Sequence, residues 1–297
     1  MRTEYAAFQR VHPLPAFFYL FFLILLTMLS VHPVTVFFSF SGAVLFCAVY
    51  SDVRRFFSGA ASYCLLFLAI TLTNPLFVHQ GETPLLFLND MPVTLEAILY
   101  GADMALLMIA ALLWCRAFFG IMTTDKSLWL FTRLLPKAAL VLAMSLRLLP
   151  LLKRKWRKIY EAQAAMGYRG EAGVFSAARL HLRVLSALIT WAFEDAIDTA
   201  AAMKARGYGL AGRSGFSVFR FRKKDAVLLS FLLVAVAVTI VGFAQGVYTF
   251  RFYPGVDRLS FSGTDMIFYS VFGVFCYLPF ITEVAEGLRW KYLQSKI

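Results

Sequence analysis

Two heptapeptides forty residues apart repeat one another. They are Ala162-Gln163-Ala164-Ala165-Met166-Gly167-Tyr168 and Ala202-Met203-Lys204-Ala205-Arg206-Gly207-Tyr208, both of the form Ala-x-x-Ala-x-Gly-Tyr. Glycine directly after a helical run is the residue expected where a helix stops in a left-handed turn. The last side chain before it then projects from a blunt tip, and small neighbours keep that tip slim. In the second copy this side chain is Arg206. Arginine suits the negative end of a helix dipole and offers a planar five-donor fork that can grip a carboxylate bidentately. Hydrogen bonds to charged groups contribute ~1.5–3 kcal/mol each, so one such residue matters to an assembly. The chemistry is recognition. No Gly-x-x-x-x-Gly-Lys-Ser/Thr phosphate loop and no His-Glu-x-x-His helix occurs in the sequence, so any ATP hydrolysis is expected in another chain.

Each tip needs a helix to carry it. From Lys137 to Met166 the pattern is helical, with Pro150 expected to bend it because it removes a backbone donor. Leu152, Trp156, Ile159/Tyr160, Gln163 and Met166 recur every three to four residues as one stripe. Lys153, Arg154, Lys155, Arg157 and Lys158 crowd the same turns, as on a face at the lipid headgroups. A second amphipathic helix is expected from about Arg179 to Arg206. Its apolar stripe is Leu185, Leu188/Ile189, Ala192, Ala196, Ala200 and Met203, opposite Arg183, Glu194, Asp195, Asp198 and Lys204.

The rest of the chain is membrane-grade. Hydrophobic residues make up 60% of 297 and charged residues 15%, with a mean hydropathy of +0.71; soluble domains are nearer ~50% apolar. Windows at about 14–30, 33–50, 60–79, 93–115, 225–243 and 264–285 are long and apolar enough to span. The first lacks a small-residue cleavage site and is expected to be an anchor. The fold class is therefore all-α, with about six transmembrane helices plus long amphipathic cytoplasmic helices. It divides into a four-span block over 1–124, a basic coupling-helix segment over 125–224 and a two-span hairpin over 225–297.

Basic residues set the orientation. Of 29 Lys and Arg, 20 fall between Arg116 and Lys224, and only Arg251 and Arg258 are left for the far side. Both termini and the basic block are expected in the cytoplasm. The net charge of +12 is thus a topology signal and not a nucleic-acid one. Cys47, Cys64, Cys115 and Cys276 are scattered without metal or redox spacing, as are His12, His32, His79 and His181; neither a cofactor nor a metal site is expected. Asp103 lies inside the fourth span, where a carboxylate costs ~2.5–3.5 kcal/mol. It is expected to face the bundle with an internal partner, or else to serve a polar contact or a proton site. Glu96 sits in that span's first turn, where the helix dipole favours it. Tyr248, Phe250, Phe252, Tyr253 and Phe261 are expected to form an aromatic belt at the outer interface.

Several motifs together resemble the transmembrane T component of energy-coupling factor (ECF) transporters, the EcfT/CbiQ family, over roughly residues 60–245. They are Thr123-Thr124-Asp125, Leu134-Leu135-Pro136, Arg147-Leu148-Leu149-Pro150, Glu161-Ala162-Gln163 and the whole second heptapeptide. Asn74-Pro75-Leu76 with His79 and Gly81, Thr94-Leu95-Glu96-Ala97 and Tyr100-Gly101 add weaker support. The resemblance implies a non-enzymatic scaffold in a prokaryotic cell-membrane importer for a vitamin or a transition metal. Its implied partners are two cytoplasmic ABC-type ATPases, which hydrolyse the ATP, and one substrate-binding S component in the bilayer. It implies that Ala205, Arg206 and Gly207 form one ATPase-coupling motif and that Ala165, Met166 and Gly167 occupy the place of the other. Met166 stands where the family has Arg, and Arg169-Gly170 follows three residues on. Either Arg169 substitutes from an extended tip or this contact is apolar; the first is preferred, since one further turn still reaches a groove. A polytopic enzyme acting on anionic lipid is the rival reading, but the sequence shows no carboxylate pair or nucleophile–base set to support it.

Overall fold

The computed structural model describes residues 8–50, 53–78, 80–88, 91–167, 174–210, 219–257 and 262–296. In chain order its elements are α1 (Pro13–Leu29), α2 (Pro33–Tyr50), α3 (Val53–Phe77), β1 (Pro84–Leu88), β2 (Met91–Thr94), α4 (Leu95–Ile121), α5 (Thr124–Leu134), α6 (Pro136–Ala165), α7 (Val174–Ala205), α8 (Lys223–Ala244) and α9 (Gly263–Gln294). This is an all-α polytopic membrane protein. Among the described residues, helices α2, α3 from Gly59, α4, α8 and α9 are long and apolar enough to cross a membrane. The apolar α1 has 17 residues, at the short end of the ~17–25 that spanning helices use. The chain forms two compact units, Met1–Lys126 with Phe219–Ile297, and Ser127–Val218.

In the first unit the sequence marks its own helix starts. Val-His-Pro occurs at 11–13 and again at 31–33. Proline opens α1 and α2, where its fixed φ suits the first helical position and its missing N–H costs nothing. The preceding histidine supplies the cap. His12 Nδ1 accepts from Leu14 N and His32 Nδ1 from Val34 N, each at 3.3 Å. An accepting Nδ1 leaves the proton of the neutral ring on Nε2. His32 Nε2 lies 3.1 Å from the Tyr269 hydroxyl, and that hydroxyl donates to Val247 O at 3.2 Å. Burial holds the His32 pKa below its usual value, with the Asp265 charge acting in the opposite sense.

Lipid tails are as apolar as leucine, so helices in a bilayer associate through close packing and interhelical hydrogen bonds. Both devices are present. A Cβ added at Gly42 of α2 meets Cys276 O of α9 at 2.9 Å, and one at Gly101 of α4 meets Thr71 O of α3 at 3.1 Å. Only glycine permits these approaches. Trp114 Nε1 donates to Ser39 Oγ at 3.1 Å, and Thr27 Oγ1 lies 2.8 Å from the same oxygen, so α4, α2 and α1 share one polar junction. Tyr19 of α1 hydrogen-bonds the Phe275 carbonyl of α9, and Asn74 Nδ2 of α3 donates to Ala97 O of α4 at 2.6 Å. Outward from α3, Leu65, Leu68, Leu72 and Leu76 are exposed at helical spacing, as a lipid-facing stripe requires.

Two elements lie beyond the sequence reading, and one group of residues departs from it. The segment after α3 is a β-hairpin. Its strands pair antiparallel, with Leu86 opposite Val93 and Leu88 opposite Met91, and Thr94 closes it by capping α4 through Ala97 N. The aromatic residues after α8 turn inward. Tyr248 is 2% and Phe252 5% exposed, and Phe250 packs on Phe252 at 4.8 Å while Tyr100 meets Phe252 and Tyr253 at 5.3 and 5.6 Å. They seal protein against protein instead of ringing the lipid interface; Phe261 lies outside the described residues. Finally, Thr124–Leu134 forms its own short helix before Pro136 opens α6. Asp103 does face the bundle, 7% exposed, yet its Oδ2 has no hydrogen-bond partner among the described residues.

Candidate functional site: two glycine-capped helix tips

In the second unit α6 and α7 pack on each other. α6 runs unbroken through Pro150. Its Trp156 and Tyr160, one turn apart, each stack on His181 of α7 with ring centroids 5.9 Å away. Lys155 Nζ lies over the Trp191 ring at 4.9 Å, a cation–π contact worth ~0.5–1 kcal/mol when exposed. His181 lacks metal-ligand spacing, and in the fold it stacks on two aromatic rings of α6. Leu152, Trp156, Ile159 and Gln163 of the expected α6 stripe are half-buried, while Met166 is not.

On α7 the buried face overlaps the expected one only in part, at Leu188, Ala192 and Met203. Leu180, Val184 and Leu188 are buried, with Trp191 and Ala192 half-buried. Leu185, Ile189, Phe193 and Ile197 stay exposed, as do Ala196 and Ala200. α7 is apolar over more than one face, and packing selects the stripe about one residue away. Beyond Trp191 the helix continues to Ala205, some 14 residues or about 21 Å of helix. Along this arm, from Phe193, only Asp195 and Met203 are even half-buried.

Both tips end as the sequence predicts. Gly207 has φ +78° and Gly167 φ +86°, conformations that glycine adopts without the Cβ penalty. At α7, Gly207 N donates to Lys204 O at 3.0 Å and Tyr208 N to Met203 O at 3.0 Å, the two bonds of a Schellman motif. Arg206 N closes the last helical bond on Ala202 O at 3.1 Å. These three bonds hold the last turn under Arg206 while its side chain is exposed. The single ion pair among the described residues is Arg157–Glu161 at 2.8 Å, so Arg206 is in none. At α6, Met166 N donates to Ala162 O at 3.1 Å and Gly167 N to Ala164 O at 3.2 Å. Ala165 precedes an exposed Met166 (68%), so the first tip presents a thioether where the second presents a guanidinium. Gln163 Oε1, one turn back, is buried without a hydrogen-bond partner. Arg169 lies outside the described residues.

The comparisons with known proteins give the family of the chain. Residues 8–218, more than two thirds of the chain, match the family CbiQ, described as cobalt transport protein. Relatives named energy-coupling factor transporter transmembrane protein EcfT include one from Listeria innocua, 35% identical over 177 residues, which are 56% of this chain and 67% of the relative. One from Lactobacillus helveticus is 31% identical over 118 residues (39% and 43% of the two chains). One from Exiguobacterium sibiricum is 39% identical over 105 residues (35% and 40%). The matched segments thus span about two fifths of the Lactobacillus and Exiguobacterium relatives. The chain belongs to the CbiQ/EcfT family, the transmembrane components of energy-coupling factor transporters.

Proposed function

We propose that this protein is the coupling scaffold of an ECF-type importer for a vitamin or a transition metal. Two cytoplasmic ABC-type ATPases each receive one tip: Ala205, Arg206 and Gly207 enter one, and Ala165, Met166 and Gly167, with Arg169, enter the other. The observation that carries this reading is the α7 tip. An arginine left in no ion pair, held on a Schellman-capped helix end at the close of an exposed arm, is built to be received by something else. The acidic lining of a groove is the complement its fork requires. The paired left-handed glycines support two such contacts, and the unlike residues before them support two unlike ATPases.

ATP-driven closure of the ATPase pair moves the tips, and the packed α6–α7 pair passes that motion to a substrate-binding S component in the membrane. The exposed Leu182, Leu185, Ile189, Phe193 and Ile197 of α7 support a membrane protein as that partner, because α6, which packs on α7 within the second unit, leaves them uncovered. The basic excess between Arg116 and Lys224 supports a cytoplasmic location for the tips and for both termini. By function the chain then divides into the spans of 1–124, the coupling segment 125–224 and the hairpin 225–297. Affinity purification in mild detergent followed by partner identification tests the proposal. Two ATPases and a small membrane protein are expected; recovery of the chain with no ATPase refutes it.

A further inference from the structure

Beside the Phe8–Arg10 turn the first unit holds a cavity of about 370 Å³. Three stretches far apart in sequence build it: the turn at Phe8–Arg10, the start of α8 and the second half of α9. Its wall is graded. Phe8, Val11 and Leu228 supply apolar surface, while Arg222 and Lys224 supply exposed positive charge, joined by Arg10. Leu228 lies more than a turn inside α8 from Lys224. On α9, Thr282 is 19 residues past Gly263, about 29 Å of helix, which is the thickness of the ~30 Å hydrocarbon core. The apolar part of the wall is therefore level with the edge of the acyl region, and the cations with the headgroups.

Two carboxylates also line the cavity, Asp225 and Glu286. Asp225 is already spent on the backbone: its Oδ1 accepts from His12 N at 3.1 Å and its Oδ2 from Arg222 N at 2.8 Å. These bonds tie the start of α1 to the start of α8 and fix the backbone from which Arg222 and Lys224 extend. Among the described residues neither of those cations is in an ion pair.

We propose that this cavity binds one anionic phospholipid of the cytoplasmic leaflet, with the phosphate diester held by Arg222 and Lys224 and the glycerol end against Phe8, Val11 and Leu228. Basic pockets between helices on the cytoplasmic side have the chemistry for anionic headgroups. A soluble anion gains nothing from the apolar wall, whereas a lipid uses both parts of it. The assignment of leaflet rests on the orientation proposed above, but binding measured in detergent does not depend on it, so the two fail separately.

The test is native mass spectrometry of the full chain in non-ionic detergent, titrated with phosphatidylglycerol or phosphatidylcholine. Phosphatidylglycerol is expected to bind in preference. The double variant R222Q/K224Q keeps the Arg222 N–Asp225 bond and should bind phosphatidylglycerol roughly 30-fold more weakly. K291Q/K296Q, altered beyond the cavity, should bind as the parent does. The charge-keeping R222K/K224R should also retain binding, which makes a folding defect in the first double variant distinguishable. Equal binding of the two lipids, an unchanged affinity in R222Q/K224Q, loss in R222K/K224R, or displacement by millimolar inorganic phosphate would each overturn the proposal, the last by assigning the site to a free anion.

Discussion

The sharpest consequence of the two-tip structure is that the tips differ. Consider Arg206→Ala. The Schellman bonds at this tip run from Gly207 N and Tyr208 N, and the bond of Arg206 itself is made by its backbone N–H. Truncating the side chain removes none of them. Alanine is also a good residue inside or at the end of a helix, so thermal stability in detergent should stay within ~0.5 kcal/mol of the parent, as for surface substitutions generally. Binding is another matter. If the guanidinium enters an acidic groove, its loss removes charge-assisted hydrogen bonds of ~1.5–3 kcal/mol. That corresponds to roughly 10- to 150-fold in affinity for the ATPase partner. Met166→Ala removes only an exposed thioether stem. With Arg169 carrying the first grip, this change should cost about twofold or less. The assay is the affinity of purified ATPase subunits for the detergent-solubilised chain, each variant beside the parent. Equal losses from R206A and M166A would refute the asymmetry. An Arg206→Ala protein that binds as the parent does would refute the role of the guanidinium altogether.

Other outcomes follow from the same geometry. Gly207→Ala forces a Cβ into φ +78° and to 3.1 Å from Leu210 Cδ1. It should cost ~1–2 kcal/mol of tip stability and weaken ATPase co-purification although Arg206 remains; a variant with parental binding would show that the cap does not orient the arginine. Gly167→Ala meets no atom within 4 Å, so only the φ penalty applies and the smaller loss is expected there. His32 gives a pH signature. Its folded pKa is lowered by burial, so its neutral form is favoured in the fold, and the unfolded chain binds the extra proton. Stability is therefore complete above the unfolded value of ~6.5 and falls as pH drops below it. The detergent thermal midpoint should decline from pH 7 to pH 5, and His32→Gln should flatten that decline; an unchanged slope would rule His32 out as its source.

Much of this molecule was legible before its fold. The spans were readable because a bilayer demands long apolar runs, and α2 from Pro33 to Tyr50 matches its window at both ends. The tips were readable because a left-handed helix end selects glycine through local sterics alone, so Gly167 and Gly207 announce themselves wherever the helices go. The α7 stripe was readable only in part, at Leu188, Ala192 and Met203. With apolar residues on more than one face, the choice of Leu180, Val184 and Leu188 over Leu185 and Ile189 depends on the surface that α6 offers. The outer aromatics failed for a related reason: a Tyr or Phe near a membrane edge suits lipid and protein equally, and only its neighbours decide.

The sequence by itself determined the class, the course of five long apolar helices out of six expected and the position of the two tips, because run length, charge bias and glycine act locally. Tertiary structure decided what required distant residues to meet. It stacks His181 on Trp156 and Tyr160, and it brings Phe8, Arg222 and Thr282 to one cavity. It also sets Asp225 on the backbone of His12, 213 residues away. Such contacts depend on which helices become neighbours. In a membrane, that choice turns on small-residue packing and a few shared hydrogen bonds, and neither is inscribed in any one segment.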